Sequence, residues 1–149
     1  MKAHFTTQVK EIISYSAEEA IRLQTSVITP AHLVLGMIRQ GQNPALTILT
    51  TDFGLSPAEL KTRIENTLPP SPPPRRRGFL SGIRVPLDRE AETVIRGGVK
   101  KAAGLKSPQI GAEHLLLALL DGPHSQLTNL FSTYGISYTS VYKKVPPHG

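Results

Sequence analysis

The segment Thr29-Pro30-Ala31-His32-Leu33-Val34-Leu35-Gly36-Met37-Ile38 returns 82 residues later as Gly111-Ala112-Glu113-His114-Leu115-Leu116-Leu117-Ala118-Leu119-Leu120. That recurrence restricts the chain to folds built from two similar units, because an offset shared by helix ends and apolar positions marks a duplicated element. At the same offset Phe5 meets Leu87, Ala20 meets Ala102, Leu23 meets Leu105 and Ile28 meets Ile110. After one deletion the offset becomes 81, and Leu46 meets Leu127, Leu49 meets Leu130 and Gly54 meets Gly135.

Each copy reads as helices. Val9, Ile12, Ile13, Ala17, Ala20 and Leu23 fall at spacings of three and four, one face of an amphipathic helix. Thr6 or a neighbouring Thr can cap it, and Glu18 stands four residues before Arg22, a favourable ion-pair order. Thr29-Pro30, Asn43-Pro44 and Ser56-Pro57 each place a capping oxygen directly before a proline whose missing N–H is not needed in the first turn. Ser56-Pro57-Ala58-Glu59 also fits a reciprocal capping box, and Gly41 and Gly54 supply helix stops. The pattern predicts four helices near 6–24, 30–40, 44–52 and 57–67, with Leu33, Leu35, Ile38, Leu46, Leu49, Phe53, Leu60 and Ile64 in the core. In the second copy Asp88 can cap a fifth helix that buries Val94, Ile95, Val99, Ala102 and Leu105. Gly97-Gly98 inside it implies a bend or a close helix contact. Further helices follow near 112–120, 125–134 and 138–144, with Leu127, Leu130 and Phe131 buried. The expected fold is all-α, with two pseudo-symmetric four-helix repeats.

Between the copies, Pro69-Pro70-Ser71-Pro72-Pro73-Pro74 excludes helix and central strand and suits a stiff polyproline II spacer. The expected organisation is a first repeat over 1–68, a Pro/Arg-rich linker over 69–84, a second repeat over 85–145 and a tail over 146–149, both repeats forming one domain. Charge is placed unevenly. The net charge is +6, but residues 1–68 hold six basic and six acidic side chains, whereas 69–84 hold four arginines and no acid. The excess therefore lies mostly in the linker, which argues against a nucleic-acid surface on a folded face. No cysteine is present, so disulfides and thiolate metal sites are excluded. No apolar run is long enough to span a membrane, and the N-terminus lacks a signal-peptide pattern, so a cytoplasmic protein is expected. The phosphate-cradling Gly-x-x-x-x-Gly-Lys-Ser/Thr loop and the Gly-x-Ser-x-Gly elbow are both missing. No catalytic residue, metal ligand or cofactor is assigned. His32 and His114 have no second ligand at metal spacing and are expected to be structural, hydrogen-bonding at their helix starts, while His4, His124 and His148 are isolated.

The combination of Phe5-Thr6, Ala17-Glu18-Glu19-Ala20-x-x-Leu23, the Thr29–Ile38 segment and its copy at Gly111–Leu120 resembles the Clp N-terminal repeat domain, over nearly the whole chain outside the linker. That domain precedes the ATPase rings of Clp unfoldases and also occurs alone. The resemblance implies a non-catalytic module that receives adaptors and substrates for ATP-dependent proteolysis or remodelling. Its implied partners are Clp ATPase or protease subunits, adaptor proteins or unfolded substrates, with the isolated domain a monomer. The alternative is a small basic helical nucleic-acid-binding protein.

Within the family, ClpC-type domains hold phosphoarginine in two symmetry-related pockets, where a Thr at the start of a repeat's first helix is paired with a Glu just before the His. Read within each copy, the first has Thr6 with Ala31 and the second has Asp88 with Glu113, so neither pocket is complete. Free phosphoarginine is then expected to bind weakly or not at all. The candidate partner-binding residues are Phe5, Thr6, Phe79, Leu80, Ile83, Val85, Asp88 and Glu113. Phe5, Phe79, Leu80, Ile83 and Val85 are chosen as apolar groups outside the regular helix cores. They would either line a groove between the repeats or seal the seam.

Overall fold

A computed structural model describes residues 4–68, 85–122 and 125–145. Among them the chain forms β1 (His4–Phe5), α1 (Thr7–Arg22), α2 (Pro30–Gln40), α3 (Pro44–Thr47), a π-helical turn (Ile48–Asp52), α4 (Pro57–Thr67), α5 (Arg89–Gly104), β2 (Gln109–Ile110), α6 (Ala112–Asp121), α7 (Ser125–Ser132) and α8 (Tyr138–Tyr142). The all-α expectation holds, and the helix starts are written by the capping residues. Thr6 Oγ1 accepts from Val9 N–H at 3.1 Å, Asn43 Oδ1 from Leu46 N–H at 2.9 Å and Asp88 Oδ1 from Ala91 N–H at 2.8 Å. Ser56 supplies only half of the expected box: its Oγ accepts from Glu59 N–H at 3.3 Å, while the Glu59 carboxylate turns outward to Arg63. Gly41 closes α2 at φ +83°, a left-handed conformation that side chains disfavour.

Within each repeat the first two helices pack against each other, α1 on α2 and α5 on α6. The small residue at each crossing sits on opposite partners. In the first repeat it is Gly36 on α2, where an added Cβ would overlap Ser16 Oγ and come within 2.5 Å of the Ile12 carbonyl. In the second it is Gly98 on α5, against Leu115, with Gly97 beside it facing Ala118. The glycine pair thus marks a close helix contact, and α5 runs unbroken through it.

The repeats join through backbone exchange. β1 pairs in parallel with β2, setting Phe5 opposite Ile110, and an isolated parallel bridge sets Ile28 opposite Leu87. The entry segment of each repeat's first helix therefore lies against the segment leading into the other repeat's second helix. Thr6 N–H donates to the Ile110 carbonyl at 3.1 Å and Asp88 N–H to the Ile28 carbonyl at 2.9 Å. Arg63 of α4 also lies over the Tyr134 ring at 5.3 Å, tying the first repeat to the end of the second. One apolar cluster runs through both repeats, from Val9, Ile12, Leu33 and Leu35 to Leu115, Leu117, Phe131 and Val141.

Several expectations change. The third helix, expected over 44–52, winds into a π-helical turn after Thr47. Val99, placed on the buried face by its spacing, is 38% exposed. Arg22 does not pair with Glu18. It reaches Glu19 and Glu65, and Glu18 pairs with Arg39. Ile38, Phe53, Ile95 and Leu130 are half-buried at the core margin. Phe79, Leu80, Ile83, the polyproline run, His124 and His148 lie outside the described residues. No helix among those described is long and apolar enough to cross a membrane.

Candidate binding cleft

The histidines of the two copies do the same local work. Thr29 N–H donates to His32 Nδ1 at 3.0 Å, and Gly111 N–H donates to His114 Nδ1 at 2.9 Å. Each ring is buried and satisfies a backbone donor at the start of its helix, as a capping-box side chain does. Burial pushes the His32 pKa below its ordinary value of 6.5, against the opposing pull of the Asp88 and Glu19 carboxylates. Among the described residues no group of His, Asp or Glu side chains is arranged to hold a metal ion.

Beyond the shared histidine, the side chains at these two starts differ. In the first repeat Thr29 contributes a hydroxyl, 2.9 Å from His32 Nδ1, and position 31 is only an alanine. In the second repeat Gly111 has no side chain, and the Glu113 carboxylate folds back into the space: a Cβ at Gly111 would overlap Glu113 Oε1. That oxygen is shielded from solvent and has no hydrogen-bond partner.

Glu113 forms part of the wall of a cleft of about 700 Å³ between the repeats. Gln8 of α1, the Gly41–Pro44 corner, Thr47, Ile48 and Asp52 of the π-helical region, and Lys144 after α8 complete it. The corner is held rigidly. Buried Asn43 donates through Nδ2 to the Met37 carbonyl at 3.1 Å and to Gln40 Oε1 at 2.9 Å, and Gln8 Nε2 reaches across to the Gln42 carbonyl at 2.8 Å. The wall is mixed in chemistry. Glu113 and Asp52 offer carboxylates, Lys144 an ammonium, and Pro44 and Ile48 an apolar strip.

The exchange of entry segments corrects the within-copy pairing of Thr6 with Ala31 and of Asp88 with Glu113. Thr6 directly follows β1, and Glu113 lies three residues beyond its partner Ile110, so α1 and α6 begin side by side. By the same rule Asp88 begins α5 beside the start of α2, which carries Ala31. The pseudo-symmetric ends are therefore unlike. One combines a threonine and a glutamate, and the other has a carboxylate at the threonine position and a methyl group at the glutamate position. Of the apolar candidates described, Phe5 and Val85 are both half-buried and packed on the core. Sequence reasoning missed Gln8, Asp52 and Lys144, which are unremarkable singly and meet only in the folded chain.

This pair of exchanged helical repeats around a shared seam is the architecture of a Clp-type N-terminal module. The chain belongs to the Clp repeat (R) N-terminal domain family, whose profile matches residues 4–134. It is 24% identical over 145 residues to the negative regulator of genetic competence ClpC/MecB of Bacillus subtilis, a match covering 97% of this chain and 17% of that protein. The chloroplastic chaperone protein ClpC2 of Arabidopsis thaliana is 29% identical over 145 residues, covering 97% of this chain and 14% of the relative. The chain thus spans under a fifth of the length of these curated relatives, as those 17% and 14% shares state. Among solved structures, the N-domain of ClpV from Vibrio cholerae matches with a TM-score of 0.75 at 15% identity, over 93% of this chain and 81% of that one. The N-terminal domain of the chaperone ClpD from Arabidopsis thaliana matches with a TM-score of 0.70 at 17% identity, over 93% and 89%.

Proposed function

We propose that this chain is a non-catalytic recognition module of a Clp-type chaperone or protease system, receiving adaptor or substrate polypeptide in the cleft at Glu113. The observation that carries this reading is the desolvated, unpartnered Glu113 Oε1 in the wall of a cleft shared by both repeats. An unpaired buried acceptor is costly, and the carboxylate would gain a partner by turning from Gly111 toward a ligand in the cleft. The half-buried Phe5 and Val85 would extend the contact surface along the seam, with Thr6 and Asp88 at its two ends. ATP hydrolysis and proteolysis would belong to other modules or chains.

Binding of an array of peptides from unfolded proteins tests the reading. Glu113→Gln and Lys144→Glu should each weaken capture of peptides by the full chain while leaving its melting temperature within a few degrees. Unchanged capture in both variants would remove the cleft as the site.

The crossed pairing favours a second, narrower reading at the same end. Thr6 and Glu113 would together supply the two groups that the family resemblance implies for phosphoarginine, and this reading expects binding there in place of the weakness expected from the within-copy pairing. That weakness still applies where Asp88 stands beside the α2 start. Calorimetric titration should show one binding equivalent, lost in Glu113→Ala. The nucleic-acid alternative predicts affinity falling steeply with salt, in proportion to the phosphates contacted.

A further inference from the structure

α5 buries Ala91, Val94, Gly98 and Ala102. Its opposite face carries Arg89, Arg96 and Lys100, all exposed. At 3.6 residues per turn these three positions fall within a sector of about 40°, and at 1.5 Å per residue they extend over about 16 Å. None has an ion-pair partner among the described residues, whereas Arg22, Arg39 and Arg63 of the first repeat are all paired. The duplicated architecture does not require the stripe. The equivalent positions on α1 are Thr7, Ser14 and Glu18, and Glu18 is neutralised by Arg39 at 2.7 Å. Beside the stripe Val99 is 38% exposed, one of two large hydrophobic side chains so exposed among the described residues. Glu92 lies on the same flank and is exposed as well.

We propose that the solvent face of α5 is a docking surface for an acidic polypeptide segment, whose carboxylates meet Arg89, Arg96 and Lys100 and whose apolar side chain covers Val99. Charge complementarity selects the acidic partner. Val99 selects polypeptide over nucleic acid, because a phosphate backbone gains nothing from an exposed valine. With a net charge of +6, a second copy of the chain is a poor occupant. No residue lining the Glu113 cleft lies on α5, so this is a separate surface.

The test uses the full chain and three fluorescent probes. One is a synthetic peptide with glutamates spaced by seven and four residues and one leucine. The others are its glutamine counterpart and an oligothymidylate of equal charge. Anisotropy should show binding of the acidic peptide alone, weakening as ionic strength rises from about 0.01 M to 0.15 M. The double variant R96E/K100E should reduce affinity by about tenfold or more, and Val99→Ser by several-fold. Far-UV circular dichroism should match the wild type in every variant. Unaltered binding in R96E/K100E or in Val99→Ser would overturn the proposal. So would oligothymidylate binding that the same substitutions abolish, or a change in self-association by sedimentation that tracks them.

Discussion

Lys101 on α5 pairs with Asp121 at the end of α6 at 2.8 Å, and these are the two positions that Glu19 and Arg39 occupy on α1 and α2, 82 residues earlier. The interaction is retained in both repeats with its charges exchanged. The same reversal extends to the neighbouring position, where Glu18 in the first repeat is matched by Lys100 in the second. The duplicated helix pair thus carries opposite charges at these two positions, in one polarity in the first repeat and the other in the second.

A charge exchange within the second repeat should therefore be tolerated better than either half of it. Asp121 is 55% exposed and Lys101 25%, so solvent limits the pair to about 0.2–1 kcal/mol. Lys101→Glu and Asp121→Lys should each lower stability in urea by up to about that amount, and the double variant should recover part of the loss. Recovery stays incomplete because Lys101 also lies over the Tyr138 ring at 4.5 Å. A double variant as unstable as the sum of the singles would refute the exchange.

Glu19 carries more weight. Its side chain is 6% exposed and accepts from Arg22 at 2.7 Å and Arg39 at 3.0 Å. Burial alone would raise its pKa, but the hydrogen bonds and charges of the two guanidinium groups hold it below the ordinary 4.5. A carboxylate depressed on folding stabilises the native state above its unfolded pKa and loses that contribution as pH falls through the folded one. Glu19→Gln should cost about 1–2 kcal/mol at neutral pH, since both arginines retain access to water. Chemical denaturation below pH 4.5 should show the wild-type advantage shrinking toward zero.

His32 works in the same direction from a different origin. Its folded pKa lies below 6.5, so the unfolded chain binds the proton more readily, and stability falls as pH drops below that value toward the folded pKa. Protonation also removes the Nδ1 acceptor from the Thr29 N–H. His32→Gln keeps a side chain suited to this capping position without the titration. Thermal melts across this range should show a shallower pH dependence in the variant, and equal slopes would exclude the His32 contribution.

The helix crossings rank three glycine substitutions. Gly36→Ala drives a methyl group against the Ile12 carbonyl at 2.5 Å, a backbone atom that cannot rotate aside, and should cost about 1–3 kcal/mol or more. Gly97→Ala meets only the Ala118 methyl at 2.9 Å and should cost less. Gly104 ends α5 with nothing within 4 Å of an added Cβ, so Gly104→Ala should stabilise by about 0.5–1 kcal/mol. Melting temperatures in any other order would contradict this account of the crossings.

The helices and much of the core were legible because each is specified locally. Thr29, Asn43 and Ser56 cap where their sequence places them, and Leu33, Leu49, Leu60 and Ile64 are buried where the period puts them. Position equivalence between copies was also legible, down to the matching Nδ1 acceptors of His32 and His114. Partnership between copies was not. A repeat shows that Thr6 corresponds to Asp88, but only the parallel pairing of Phe5 with Ile110 places Thr6 at the Glu113 end. Val99 was misplaced because helical spacing identifies a face but not its edge. The cleft was hidden because Gln8, Asp52 and Lys144 come from distant parts of the chain.

The exchange of entry segments also sets this pair of repeats apart from an open array. In open solenoids each unit offers its successor a free face, and special terminal units must stop the series. Here His4 N–H and Thr6 N–H are taken by Pro108 and Ile110, while Ile28 N–H and Asp88 N–H are taken by Pro86 and Ile28. Each repeat completes its sibling and is completed by it at this seam. The pair is closed on itself by main-chain hydrogen bonds that side-chain substitution does not directly remove.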